Sequence, residues 1–229
     1  MLLTRKIIAV LYCLALAADI WAIMSGAGEG WRYAGKCLLM PLLIFLVFIA
    51  SVNAVKKYIK FLLITALLFS WTGDILLVDD DQMSFIAGLA SFLLAHIAYI
   101  LLFTRIVKNT SSNKRLLLIS TGGMFIYTFL LVLFLWKRIE GLRLPVVAYA
   151  LILSLMFITA LQLKAVRRLS KKISSNIIAG ASLFVVSDSI LAIERFYFQQ
   201  QLLQVIVMIT YAAAQLFLAR GIVRYINKI

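Results

Sequence analysis

The stretch "SWTGDILLVDDDQMSFIAGLASFLLAHIAYILLF", residues 70–103, holds two apolar runs and the acidic turn between them. It places Asp74 and the chain's single histidine, His96, among residues suited to hydrocarbon. The run 82–104 carries no charge at all, and the run 61–78 is broken only by Asp74. About 20 helical residues reach across the roughly 30 Å hydrocarbon layer of a bilayer, so each run is one span and the acidic "DDD" between them is a turn. The same pattern recurs along the chain. Uncharged runs stand at 37–55, 116–136, 144–163 and 196–219, and two more, 7–24 and 173–193, are broken only by Asp19 and Asp188. The expected fold is an all-α membrane protein, a bundle of eight transmembrane helices forming one domain over 1–229.

Composition agrees. With 64% hydrophobic and 14% charged residues, the chain is too apolar to hide its side chains in a water-soluble core. The net charge of +14 does not imply a nucleic-acid partner, because the charge is segregated. Most of the 23 basic residues fall on alternate loops and the two ends, among them Lys56, Lys57, Lys60, Arg105, Lys108, Arg167, Arg168, Arg220 and Arg224. The loop acids Glu29, Asp79, Asp80, Asp81, Glu140 and Glu194 all fall on the other side. By the positive-inside rule both termini are cytoplasmic. Short loops and small size point to a bacterial inner membrane, and the basic face suits anionic lipid. The amino-terminal segment has the pattern of a signal peptide but is read as a retained first span, since losing it would spoil the charge asymmetry. Cys13 and Cys37 lie at different depths, which argues against a disulfide. Pro41 and Pro145 are expected in or near helix starts.

Charged groups within a span cost at least about 2.5–3.5 kcal/mol, so those that remain are candidate site residues. Asp19, Asp74 and Asp188 all fall toward the non-cytoplasmic ends of their helices, and Lys36 begins the second span on the same side. One polar pocket in that half of the membrane is the expectation. A carboxyl group in a water-poor site can hold a proton and serve as an acid. Gly88, Phe92 and His96 are spaced by four and Tyr99 follows by three, which makes one helix stripe. Ser70 lies one turn before Asp74, where it can bond the carboxyl, and Tyr211 and Gln215 lie one turn apart in the eighth span. Tyr149 and Ser187 complete the supporting set. The competing roles are structural: a helix-to-helix hydrogen bond for Asp74 and Asp188, plain packing for His96, snorkelling for Asp19. Trp31, Tyr33, Trp71 and Trp136 suit an interfacial belt.

One histidine cannot supply the three or four ligands of a histidine-rich zinc site. Neither a serine-hydrolase elbow nor a phosphate-binding glycine loop is present. A pair of carboxyl groups remains, able to divide acid and base roles or, in a transporter, to couple proton movement to substrate. "GDILL" at 73–77 and "SDSIL" at 187–191 echo each other in spans that run the same way, as a parallel repeat of four plus four helices would give.

"SWTGDILL", "FIAGLASFLLAHIAYILLF" and "GASLFVVSDSILAIERF", with "GKCLLMPLL" at 35–43 and "YAAAQLFLARG" at 211–221, resemble the YhhN family of eight-span membrane proteins, which includes the lysoplasmalogenases. The resemblance implies hydrolysis of the vinyl ether bond of lysoplasmalogens to a fatty aldehyde and glycerophosphoethanolamine or glycerophosphocholine, with a lysophospholipid as partner and no metal or organic cofactor. It maps the family's two aspartates onto Asp74 and Asp188, its histidine and tyrosine onto His96 and Tyr99, and its lysine onto Lys36. Cys37 stands where many relatives carry proline, and Glu194 and Arg195 make the end of the seventh span unusually charged. A proton-coupled transporter or lipid-binding protein using the same aspartates is the alternative.

Overall fold

A computed structural model describes residues 2–26, 29–52, 55–79, 81–108 and 113–227. Its helices are α1 (Leu2–Ser25), α2 (Glu29–Ala50), α3 (Lys57–Leu76), α4 (Gln82–Val107), α5 (Lys114–Leu135), α6 (Arg143–Gln162), α7 (Lys171–Ile193) and α8 (Gln201–Ile226). All eight are long and apolar enough to cross a membrane. The α2 helix starts at Glu29, well before the charge-free run, because Arg32 and Lys36 are carried within it. Pro41 therefore sits inside α2 rather than near its start, where neighbouring helices tolerate it. Pro145 does lie in the first turn of α6.

Sequential helices pair as α1–α2, α3–α4 and α7–α8, while α4 also packs on α6 and α1 on α8. The α5 helix leans chiefly on α6 and turns Leu118, Phe125 and Ile126 outward, as lipid contact requires. The core is built from Leu63, Leu67, Tyr99, Phe103, Phe184 and Leu218, all fully enclosed. A smaller cluster of Phe85, Leu135, Ile139, Leu142 and Val146 closes the end where α5 turns into α6.

Small residues let backbones approach. A Cβ at Gly180 would stand 2.8 Å from the Ala214 carbonyl oxygen and 2.7 Å from Leu218 Cγ, so only glycine allows α7 to lie this close to α8. Gly35 does the same for α2 against the backbone of α1 at Asp19.

Turns are held by specific bonds. Asp81 caps α4 by accepting from the backbone N–H groups of Met83 and Ser84 at 2.9 and 3.0 Å. The Ser84 contacts hold its carboxyl below the usual range. The cap is therefore complete above the ordinary aspartate range and weakens as acid protonates it. Tyr33 donates to Asp79 at 2.8 Å, so the acidic turn is in part a packed feature. Asp80 and the side chain of Glu29 lie outside the described residues. Trp71 does not simply join the interfacial belt, since its Nε1 donates to the Cys37 carbonyl at 2.9 Å and ties α3 to α2. Both cysteines are free.

Candidate active site

Asp188 lies on the inner face of α7, with 8% of its side chain exposed. Tyr149 of α6 donates its hydroxyl to Asp188 Oδ2 at 2.5 Å, and His96 Nε2 of α4 stands 3.2 Å from the same oxygen and 2.9 Å from the Tyr149 hydroxyl. Three helices thus meet on one carboxyl oxygen. With Nε2 facing the carboxyl oxygen that accepts from Tyr149, the tautomer protonated at Nε2 lets His96 donate to it, while Nδ1 has no partner among the described residues. The helix spacing that placed His96 on the buried stripe of α4 holds, and Phe184 packs edge-on against it with ring centroids 4.7 Å apart.

Asp74 belongs to a second cluster. Tyr211 of α8 donates to Asp74 Oδ2 at 2.7 Å, and Lys36 is the cation that acts on it most strongly. One turn along, Gln215 Nε2 donates to Ser70 Oγ at 2.9 Å and its Oε1 accepts from the Tyr99 hydroxyl at 2.7 Å. Ser70 therefore does not bond Asp74 as its i−4 position suggests, because a side chain from α8 engages it. Tyr99 parts from His96 in the same way: both are buried on α4, yet each serves a different cluster.

The two clusters do not merge into the single polar pocket expected from depth alone. Phe184 packs edge-on against both His96 and Tyr211, so an aromatic ring stands between them. Phe92 extends this wall, and its ring fills the space where a Cβ at Gly73 would stand. Ser187 is spent on a helix contact, donating to the Val207 carbonyl at 3.1 Å. Asp19 does not snorkel: it is fully enclosed, and neither of its oxygens has a partner among the described residues. Lys36 and Arg32 are the cations that act on it.

Two cavities meet near these residues. An apolar chamber of about 60 Å³ lies among α4, α5, α6 and α7, with Asp188, Tyr149 and Ser189 as its polar features. A polar vestibule of about 60 Å³ lies at the end of the bundle, walled by Arg32, Lys36, Asp79, Glu194, Arg195 and Gln204. Leu77, Phe85 and Leu191 line both. Leu77 and Leu191 follow Asp74 and Asp188 by three residues, so each aspartate lies one turn from the junction. Asp74 borders neither cavity. Among the described residues no three His, Cys, Asp or Glu side chains converge as metal ligands would.

The sequence counted Glu194 and Arg195 only as charges at the end of a span. Glu194–Phe198 forms one wide turn after α7, closed by the Gln199 N–H donating to the Glu194 carbonyl at 2.8 Å, and it turns Glu194 inward to 6% exposure. Such turns recur at functional sites. The adjacent acid and base in "ERF" were the available signal.

A family model described as the YhhN family matches residues 31–222. The chain belongs to the YhhN family. It is 33% identical over 190 residues to "Lysoplasmalogenase TMEM86B" of Mus musculus, covering 82% of this chain and 74% of that protein. It is 30% identical over 162 residues to "Lysoplasmalogenase" of Mycobacterium bovis, covering 69% of this chain. It is 31% identical over 158 residues to "Lysoplasmalogenase TMEM86A" of Bos taurus, covering 67% of this chain and 61% of that protein. The chain spans 59% of the length of the mycobacterial relative. No solved structure matches.

For this YhhN chain, Tyr149→Phe keeps the ring and removes one of the two donors on Asp188. A hydrogen bond to a charged group contributes about 1.5–3 kcal/mol, so kcat is expected to fall about 10- to 100-fold with KM little changed. Steady-state kinetics on the substrate check this.

Proposed function

We propose that the protein is a membrane hydrolase that cleaves the vinyl ether bond of lysoplasmalogens, giving a fatty aldehyde and a glycerophospho-headgroup. The observation that carries this reading is a carboxyl group with two proton donors on one oxygen, facing an apolar chamber. The curated names of its relatives point to the same chemistry.

In this mechanism Asp188 is the acid. Its Oδ1 accepts no hydrogen bond among the described residues and gives its proton to the outer vinyl carbon. The double bond becomes a single bond, and positive charge forms on the carbon attached to the ether oxygen. Tyr149 and His96, already on Oδ2, stabilise the negative charge left on the carboxyl, and that carboxylate in turn stabilises the oxocarbenium ion. Water adds to the cation and returns a proton to Asp188. The hemiacetal then collapses, its hydroxyl proton passing to the glycerol oxygen as that C–O bond breaks. The chain of atoms and charges closes with water as sole co-reactant.

The fatty chain occupies the apolar chamber, reached from the lipid past α5, the helix with the fewest packed neighbours. Asp74 acts from behind the aromatic wall as a positioning residue, balancing the buried charge of Lys36. The charge segregation along the chain supports cytoplasmic termini, which puts the vestibule on the opposite face. Incubating the purified protein with a vinyl ether lysophospholipid and its saturated alkyl ether analogue tests the reading. Aldehyde is expected from the vinyl ether alone; aldehyde from neither would reject it.

A further inference from the structure

The vestibule has a composition that the cleavage chemistry does not require. It brings Lys36, Arg32 and Arg195 together with Glu194 and Asp79 around one cavity that opens at the end of the bundle. Lys36 is 7% exposed, lines the cavity, and belongs to no hydrogen bond or ion pair seen among the described residues. Asp74, which balances this ammonium, does not border the cavity, so the ammonium can also meet an anion that arrives with a ligand. Glu194 is held in place by Gln204 Nε2, which donates to its Oε1 at 2.9 Å. Asp79 is engaged by Tyr33, so Glu194 is the acid set deepest in the wall.

We propose that the vestibule is a headgroup site that selects phosphoethanolamine, with Lys36 on the phosphate and Glu194 on the primary ammonium. The assignment rests on the lysophospholipid reading above. Three cations and two acids line the cavity, which matches a group bearing one phosphate and one ammonium. Position agrees too, because the vestibule joins the chamber at Leu77, Phe85 and Leu191. A lysolipid with its chain in the chamber and its ether bond near Asp188 passes its polar end through that junction. A primary ammonium donates three hydrogen bonds and can give one to a buried carboxylate. The trimethylammonium of choline donates none and is favoured by open aromatic faces. Phe85 is the vestibule's aromatic residue, and the Arg195 guanidinium already covers its ring at 5.1 Å from the centroid.

The test compares binding of alkyl ether lysophosphoethanolamine and alkyl ether lysophosphocholine to the protein in detergent. Neither probe has a vinyl bond, so the outcome does not depend on catalysis. The ethanolamine probe is expected to bind about tenfold more tightly, the usual scale of a charge-assisted hydrogen bond. Glu194→Gln is expected to remove that preference while leaving the choline probe's Kd unchanged, which also shows that the variant is folded. Lys36→Ala is expected to weaken both probes. Equal binding of the two probes by the wild-type protein, or a preference that survives Glu194→Gln, overturns the headgroup assignment. A retained preference for ethanolamine in a protein that releases no aldehyde from any vinyl ether would instead keep this site and reject the hydrolase.

Discussion

Replacing Asp188 by Asn is expected to reduce aldehyde release by about 10²- to 10⁴-fold, the range that a positioned general acid supplies. Asparagine keeps the shape and still accepts from Tyr149 and His96, but it has no proton to give to the vinyl carbon and leaves no carboxylate beside the cation. Loss is therefore expected in kcat, with the variant eluting and melting as the wild type does. Asp74→Asn is expected to act differently. Asp74 borders neither cavity and balances Lys36, so its loss is expected to raise KM more than it lowers kcat, and to cost stability by leaving a buried charge less compensated. A full kinetic comparison of the two variants checks the division of roles. Equal loss of kcat in both would mean that Asp74 also acts at the reacting atoms.

Gly180→Leu is expected to have the largest effect on folding. The obstacles to a side chain there include the Ala214 carbonyl oxygen and the Leu218 backbone nitrogen, each 2.8 Å from where a Cβ would stand, and backbone atoms cannot turn aside as a side chain can. The α7 and α8 helices must then separate. Overpacking usually costs about 1–3 kcal/mol even where side chains can shift, a large part of the stability of a small domain. Little folded protein is expected in detergent, and what folds is expected to melt well below the wild type. The matched control is Gly123→Leu on α5, where nothing lies within 4 Å and the Tm is expected to stay put. A Gly180→Leu protein with wild-type Tm would contradict the close α7–α8 packing on which the Asp188 position depends.

The eight helices were legible because each span must satisfy its backbone internally and show apolar side chains to lipid, which leaves a direct mark on the sequence. Candidate residues were legible for the same reason, since Asp74, Asp188, His96 and Lys36 are costly where they stand. Partnership was not. Ser70 is the natural i−4 neighbour of Asp74, yet Gln215, distant in sequence, takes its hydroxyl. His96 and Tyr99 share a stripe, yet α7 claims one and α8 the other. Helix periodicity reports which face is buried and says nothing of which helix lies opposite. Phe184 was unremarkable as one more apolar residue in a span, and only its place between His96 and Tyr211 makes it the wall between two clusters. Pro41 was misplaced for a simpler cause: α2 carries its charges farther into the helix than a charge-free window allows.

In the proposed mechanism a protein carboxyl group delivers a proton to the vinyl carbon. Running the reaction to low conversion in D₂O and reading the aldehyde by mass spectrometry, before its own exchange sets in, tests this most directly. One deuterium is expected on the carbon next to the aldehyde in the product of the wild-type protein, and almost no product from Asp188→Asn. Aldehyde formed without that deuterium, or formed equally fast by the Asp188→Asn variant, would contradict it.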